Sequence, residues 1–180
     1  MSIPNILTLM RIILVPVIVI ALMQESFQMA LYLFVIAAIT DGLDGFLARK
    51  LHQKTVLGTY LDPLADKALL TSSFITLAIL GPIPSWLAVI VISRDLIILS
   101  GILIFFFMSI SIEMSPSLVS KITTLLQFIV VSAVLVCQSF PVESGLLLLA
   151  FLFWLTALIT ITSGFHYIYK GICYINVASR

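Results

Sequence analysis

The chain has 180 residues, of which 62% are hydrophobic and only 9% charged, and its 9 Lys and Arg against 8 Asp and Glu leave a formal net charge of +1. That is too little polar surface to cover a soluble globule, and so even a charge balance gives no support to nucleic-acid binding. The apolar stretches reach the roughly 20 residues a helix needs to cross a hydrocarbon core of about 30 Å, and the alternation of a membrane barrel is absent. The expected fold is therefore all-α and integral to the membrane: a six-transmembrane-helix bundle with a cytoplasm-facing polar active-site cavity.

In chain order, the first span covers about 6–23; Pro16 interrupts it, and Gln24-Glu25 offers no small-residue cleavage site, so it reads as a retained helix. The second, about 27–48, has some 14 apolar residues before Asp41, too few to cross alone, which carries Asp41 and Asp44 into the cytoplasmic leaflet. After the basic stretch Arg49 to Lys54, the third span, about 60–80, repeats this in mirror order, its apolar run beginning only after Lys67. Gly81-Pro82-Ile83-Pro84-Ser85 leads into a fourth span at about 84–108, and the Ser-rich stretch near Glu113 and Pro116 into a fifth at about 117–138. Pro141-Val142-Glu143-Ser144-Gly145 precedes the sixth, about 145–168. No linker is long enough to divide the chain, so residues 1–180 are expected to form one membrane domain.

Arg49, Lys50, Lys54, Lys67, Lys121, Lys170 and Arg180 fall at junctions that an even number of spans places on one side, whereas the opposite loops carry Glu25 and Glu143. The positive-inside rule makes the basic side, with both termini, cytoplasmic. Trp86, Trp154, Tyr60, Tyr167, Tyr169 and Tyr174 suit an aromatic belt, and Phe105-Phe106-Phe107 suits lipid contact or packing. Cys137 and Cys173 read as packing residues, His52 as an interface residue and His166 as a helix-end residue.

Four of the eight acidic side chains, Asp41, Asp44, Asp62 and Asp66, share a window of 26 residues. Asp41 and Asp44 are i and i+3, and Asp62 and Asp66 are i and i+4, so each pair lies on one face of a helix. Clustered carboxylates take up protons or recruit divalent cations, and oxygen-only donors favour Mg2+ or Mn2+. Asp62 also suits an N-cap before Pro63. Gly42, Gly45 and Ala48 clear side-chain bulk from the acidic face, at a cost of about 1 kcal/mol for each Gly relative to Ala. Arg49, four residues after Gly45, is positioned to grip a phosphate or diphosphate. Arg94 lies deep in the fourth span and has two readings: a structural pair with Asp95 or, because adjacent residues diverge on a helix, a side chain facing inward for an acceptor. Lys121 opens the fifth span beside Ser120 and Thr123 as a further acceptor-binding candidate.

The spacing D-x2-D-G-x2-A-R-x8-G-x3-D-x3-D is matched by Asp41, Asp44, Gly45, Ala48, Arg49, Gly58, Asp62 and Asp66, and it resembles the signature of the CDP-alcohol phosphatidyltransferases. The likeness extends to Ile3-Pro4-Asn5-Ile6-Leu7-Thr8 with Arg11, to Ser93-Arg94-Asp95, to Ser120-Lys121-Ile122-Thr123-Thr124 with Gln127, and to Ser163-Gly164-Phe165-His166-Tyr167. The resemblance implies a homodimeric six-helix enzyme that binds CDP-diacylglycerol and two divalent cations and transfers the phosphatidyl group to an alcohol, releasing CMP. It implies Asp41, Asp44 and Asp62 as metal ligands, Asp66 as metal ligand and general base, and Gly45, Ala48, Arg49 and Gly58 as the cytidine and diphosphate site. Within the family, the fourth- and fifth-span segments resemble the cardiolipin-synthesising branch, whose acceptor is phosphatidylglycerol. The alternative is the branch that uses glycerol 3-phosphate, in which a Glu, a Leu-Arg and a second Lys are expected where Asp95, the run from Gly101-Ile102-Leu103 and Thr123 stand.

Two readings of other classes compete. Intramembrane carboxylates also mark cation transporters, but these gather at one membrane face beside an Arg. An intramembrane prenyltransferase also carries two acidic motifs, but the Asp44-Gly45 and Ala48-Arg49 dipeptides favour the nucleotide-lipid family.

Overall fold

The computed structural model describes the backbone of residues 3–51, 56–107, 118–140 and 145–178, and the side chains of residues 9–40, 65–101, 119–140 and 145–171. Six helices follow in order: α1 (Ile3–Met23), α2 (Phe27–Leu51), α3 (Val56–Leu80), α4 (Ser85–Phe107), α5 (Leu118–Ser139) and α6 (Gly145–Ala178). The apolar stretches read from the sequence are helical wherever they are described; Gln24-Glu25-Ser26 and Gly81-Pro82-Ile83-Pro84 lie between or at the ends of helices, and the basic stretch from Arg49 is helical as far as Leu51.

The six-transmembrane bundle is overturned. Among the described residues, two helical stretches, Val119–Ser139 and Gly145–Gly171, are long and apolar enough to cross a membrane, while Leu9–Met23 and Phe27–Thr40 are shorter apolar helices. The reason lies in where charge falls. α2 ends in the segment carrying Asp41, Asp44, Arg49 and Lys50, α3 carries Asp62, Asp66 and Lys67 in its first half, so that Asp62 stands inside the helix and is not its N-cap, and α4 carries Arg94 and Asp95 near its middle. Each is helical over 23 to 25 residues, yet its uninterrupted apolar run is shorter. The polar cavity expected at the carboxylates falls on Asp41, Asp44 and Asp62, whose side chains lie outside the described residues.

Only 39% and 28% of the two long apolar windows is buried within the protein. The core helix of a soluble domain would be mostly covered, whereas these helices leave most of their apolar surface exposed, as suits a membrane-associated chain.

The chain divides into two compact units, Met1–Ile83 with Val131–Gly145, and Pro84–Val130 with Leu146–Arg180. In the first, α1 packs against both α2 and α3. Ile18, Ala21 and Leu22 of α1, Ala30, Phe34 and Ala37 of α2, and Leu69, Phe74 and Leu77 of α3 are buried, joined by Val131, Val134 and Leu135 of α5. The stripe 30, 34, 37 follows helical periodicity, and its alanines let backbones approach closely enough for Phe34 to fill the space between. In the second unit, Leu87, Ala88 and Val91 of α4, Val130 of α5 and Phe153 and Ala157 of α6 are buried.

Turn chemistry fixes the connections. α1 ends in a Schellman motif, with Ser26 N donating to Ala21 O at 3.0 Å and Glu25 N to Leu22 O at 2.8 Å. Glu25 occupies the left-handed position, φ 55°, where glycine is the usual residue. After α3 the same role falls to Gly81, φ 100°, and Pro84 then starts α4 by accepting from Leu87 N at 3.0 Å.

Candidate functional site

α2 and α3 are continuous through the acidic motif, so Asp41 and Asp44, and likewise Asp62 and Asp66, stand three and four residues apart on helical backbone, as the spacing requires. The side chains of Asp41, Asp44, Gly45, Ala48, Arg49, Gly58 and Asp62 lie outside the described residues, as do those of Lys54, Tyr60, His52, Cys173, Tyr174 and Phe105-Phe106-Phe107. Asp66 is the member of the motif whose surroundings are defined.

Arg11 Nη1 of α1 donates to Asp66 Oδ1 of α3 at 2.7 Å, an ion pair between residues 55 apart in sequence. The arginine side chain is 0% exposed and the carboxylate 38%, so the pair runs from the core of the first unit to its open side. An arginine in an apolar helix is tolerated only where an acceptor meets it, and the charged, planar donor in turn fixes the acid's orientation. Among the described residues no three His, Cys, Asp or Glu side chains gather as a metal site. What the motif offers is an all-oxygen donor set, the kind that suits a hard divalent cation, and Asp66 contributes to it a carboxylate that is held in place and partly open to the outside.

The second unit holds a separate polar cluster. Arg94 of α4, 4% exposed, donates from Nη1 to Asp95 Oδ1 at 2.7 Å and from Nη2 to Ser120 Oγ of α5 at 2.6 Å and Ser163 Oγ of α6 at 3.1 Å. Its Cζ lies 5.9 Å from the centre of the Tyr167 ring, within the range of a cation–π contact. Of the two readings of Arg94, the structural pair with Asp95 is made, and the buried side chain also faces inward and reaches two other helices. Arg94 thus ties α4, α5 and α6 together at one level. A Cβ added at Gly164 would stand 3.8 Å from Arg94 Cγ, so α6 passes close to the arginine's aliphatic stem.

Lys121, the other acceptor-binding candidate, is exposed on α5. Thr123 is buried, its hydroxyl bonded to Val119 O at 2.8 Å, and it therefore adds no cation where a second lysine was considered. Beside the cluster, a groove of about 240 Å3 is lined by Val89, Ile90 and Ile97 of α4 and Ile161, Phe165 and Ile168 of α6, with Ser93, Arg94, Thr160 and Gly164. Trp86 and Trp154, both exposed, lie with ring centroids 5.0 Å apart and their planes tilted by 34°.

Reading the sequence residue by residue left Arg11 without a partner and Ser163 without a role, and gave Tyr167 only a place in an aromatic belt. The available signal was physical: two arginines embedded in apolar helices, each requiring an acceptor. Which acceptor was not readable, because Asp66 and Ser163 are brought in by other helices.

The family described as CDP-alcohol phosphatidyltransferase matches residues 1–162, which takes in the first unit and the second as far as residue 162. The chain is similar to the cardiolipin synthase (CMP-forming) of Rattus norvegicus, 33% identical over 186 residues that cover 94% of this chain and 61% of the rat protein. It is similar to the human protein of the same name, 32% identical, of which it covers 62%. It is also similar to the CDP-diacylglycerol–glycerol-3-phosphate 3-phosphatidyltransferase of Bacillus subtilis, 33% identical over 190 residues that cover 94% of this chain and 95% of the bacterial one. The chain therefore spans about three fifths of the length of the two mammalian relatives and nearly the whole of the bacterial one. With the eight-position acidic motif on α2 and α3 and a match running through residues 1–162, the chain belongs to the CDP-alcohol phosphatidyltransferase family.

Proposed function

We propose that this chain transfers the phosphatidyl group of CDP-diacylglycerol to a glycerol-type alcohol with release of CMP, and that the acceptor is phosphatidylglycerol. The observation that carries the reaction class is the run of eight matched positions from Asp41 to Asp66 on two consecutive helices. In this reading Asp41, Asp44, Asp62 and Asp66 hold two divalent cations, Mg2+ or Mn2+. When bound, the cations neutralise the diphosphate and the departing CMP oxygen.

The chain's own residues position and move a proton. Gly45, Ala48, Arg49 and Gly58 form the nucleotide and diphosphate site. Asp66, its orientation set by Arg11, accepts the proton of the acceptor hydroxyl as the new oxygen–phosphorus bond forms and the bond to CMP breaks. No Ser, Cys or His beside the motif has the setting of an activated nucleophile in the sequence, which supports direct displacement. A phosphatidyl-enzyme adduct trapped without acceptor would contradict it. The ends carrying Lys121, Lys170 and the basic stretch after Arg49 face the cytoplasm in this reading.

Phosphatidylglycerol is favoured because its phosphodiester carries one negative charge, and the surroundings of Arg94 and Lys121 are poor in additional cation: Asp95 pairs with Arg94, and Thr123 is neutral and internally bonded. Glycerol 3-phosphate is the second reading, favoured by the likeness to the Bacillus subtilis protein along 95% of that protein's length. The deciding experiment measures CMP release by purified protein from CDP-diacylglycerol and Mg2+ with phosphatidylglycerol, glycerol 3-phosphate, inositol phosphate or serine in parallel. Turnover with glycerol 3-phosphate and none with phosphatidylglycerol would replace the acceptor. Cation flux in proteoliposomes without CMP release would replace the reaction class.

A further inference from the structure

We propose that Arg11 is a positioning residue for the transfer reaction: it grips Asp66 from inside the first unit and so sets the direction in which that carboxylate meets the cation and the acceptor hydroxyl. The inference rests on the reading of Asp66 given above. Three observations carry it. Arg11 has 0% side-chain exposure on a helix that is otherwise almost wholly apolar, where a leucine would pack without needing a partner. Its 2.7 Å bond goes to a carboxylate 38% exposed, so the contact ties an outward-facing acid to the interior and does not merely neutralise two core groups. And that acid is the last position of the acidic motif, carried by α3, against which α1 packs.

A guanidinium is a rigid planar donor, whereas a lysine ammonium is a point charge on a flexible stem. Arg11→Lys therefore retains charge and loses orientation, which separates positioning from electrostatics and from bulk packing. The full chain in lipid nanodiscs serves for three readouts on wild type, Arg11→Lys, Arg11→Met and Asp66→Asn: the melting temperature, the affinity and line shape of bound Mn2+ by electron paramagnetic resonance, and kcat and KM for CMP release.

For Arg11→Lys the expected result is Mn2+ affinity and KM for CDP-diacylglycerol each within about threefold of wild type, an altered Mn2+ line shape, and kcat lower by about tenfold or more, because a displacement near 1 Å can cost on the order of a hundredfold. Wild-type kcat with an unchanged line shape in Arg11→Lys would overturn the inference. So would a parallel fall in melting temperature, Mn2+ affinity, KM and kcat, which marks a structural prop only. If Arg11→Met does not accumulate as folded protein, Arg11→Lys decides by itself. Should wild type bind Mn2+ yet release no CMP, the functional reading fails, and the comparison of Mn2+ line shapes still tests the contact between Arg11 and the cation ligand.

Discussion

Each unit contains an arginine buried in an apolar helix and bonded to an aspartate at 2.7 Å, yet the two pairs are built differently. Arg11 reaches across 55 residues to a carboxylate 38% exposed. Arg94 takes the residue beside it, Asp95, 16% exposed, and adds bonds to two serines from α5 and α6. The first arrangement leaves an acid facing outward under the control of the interior. The second holds three helices together and leaves its cation largely committed. The difference teaches that equal ion-pair lengths in an apolar chain serve unlike ends, and that the exposure of the partner separates them.

The comparison breaks most visibly at Asp66. Asp66→Asn should lower CMP release by a hundredfold or more, since a positioned proton acceptor contributes about 10²–10⁴-fold, and should cost about 2 kcal/mol on unfolding in detergent. That is less than for a fully buried pair, because over a third of the carboxylate reaches the outside. Asp95→Asn should reverse the pattern: a stability loss of about 2–3 kcal/mol as Arg94 loses its compensating charge, with CMP release falling by less than about tenfold. Equal losses of turnover in the two variants would erase the distinction. Ser163→Ala removes one charge-assisted bond from Arg94 and should cost about 1.5 kcal/mol, read as a lower melting temperature with unchanged KM for CDP-diacylglycerol. The smallest effect is expected at Thr160, whose buried hydroxyl has no partner among the described residues. Thr160→Val should be neutral or stabilise by up to about 1 kcal/mol, and a clear destabilisation would show that Arg94's surroundings hold a bond not counted in this scheme.

Much of the fold was legible in the chain itself. Long apolar runs punctuated by Gln24-Glu25-Ser26 and Gly81-Pro82 mark helices and breaks because a helix in lipid satisfies its own backbone, whereas Gly and Pro end it. That Glu25 would take the left-handed position was not legible; composition does not say which residue of a turn carries positive φ. The expectation of six membrane spans failed at α1, α2, α3 and α4 because helical length and apolar length were treated as one quantity. Charged residues lengthen the former while shortening the latter.

The candidate site divides along the same line. The spacing of Asp41, Asp44, Asp62 and Asp66 was readable because helical periodicity turns sequence separation of three or four into a shared face. The rule that neighbours diverge could not choose between the two readings of Arg94, because it describes Cβ directions, and an arginine has enough rotatable bonds to pair with the residue beside it while facing inward. By itself, then, the sequence determined six helices, two acidic pairs and membership in a family. Only the tertiary structure decided that Arg11 holds Asp66 and that Ser120 and Ser163 hold Arg94, since contacts between helices depend on how separate stretches pack and local spacing carries no record of that.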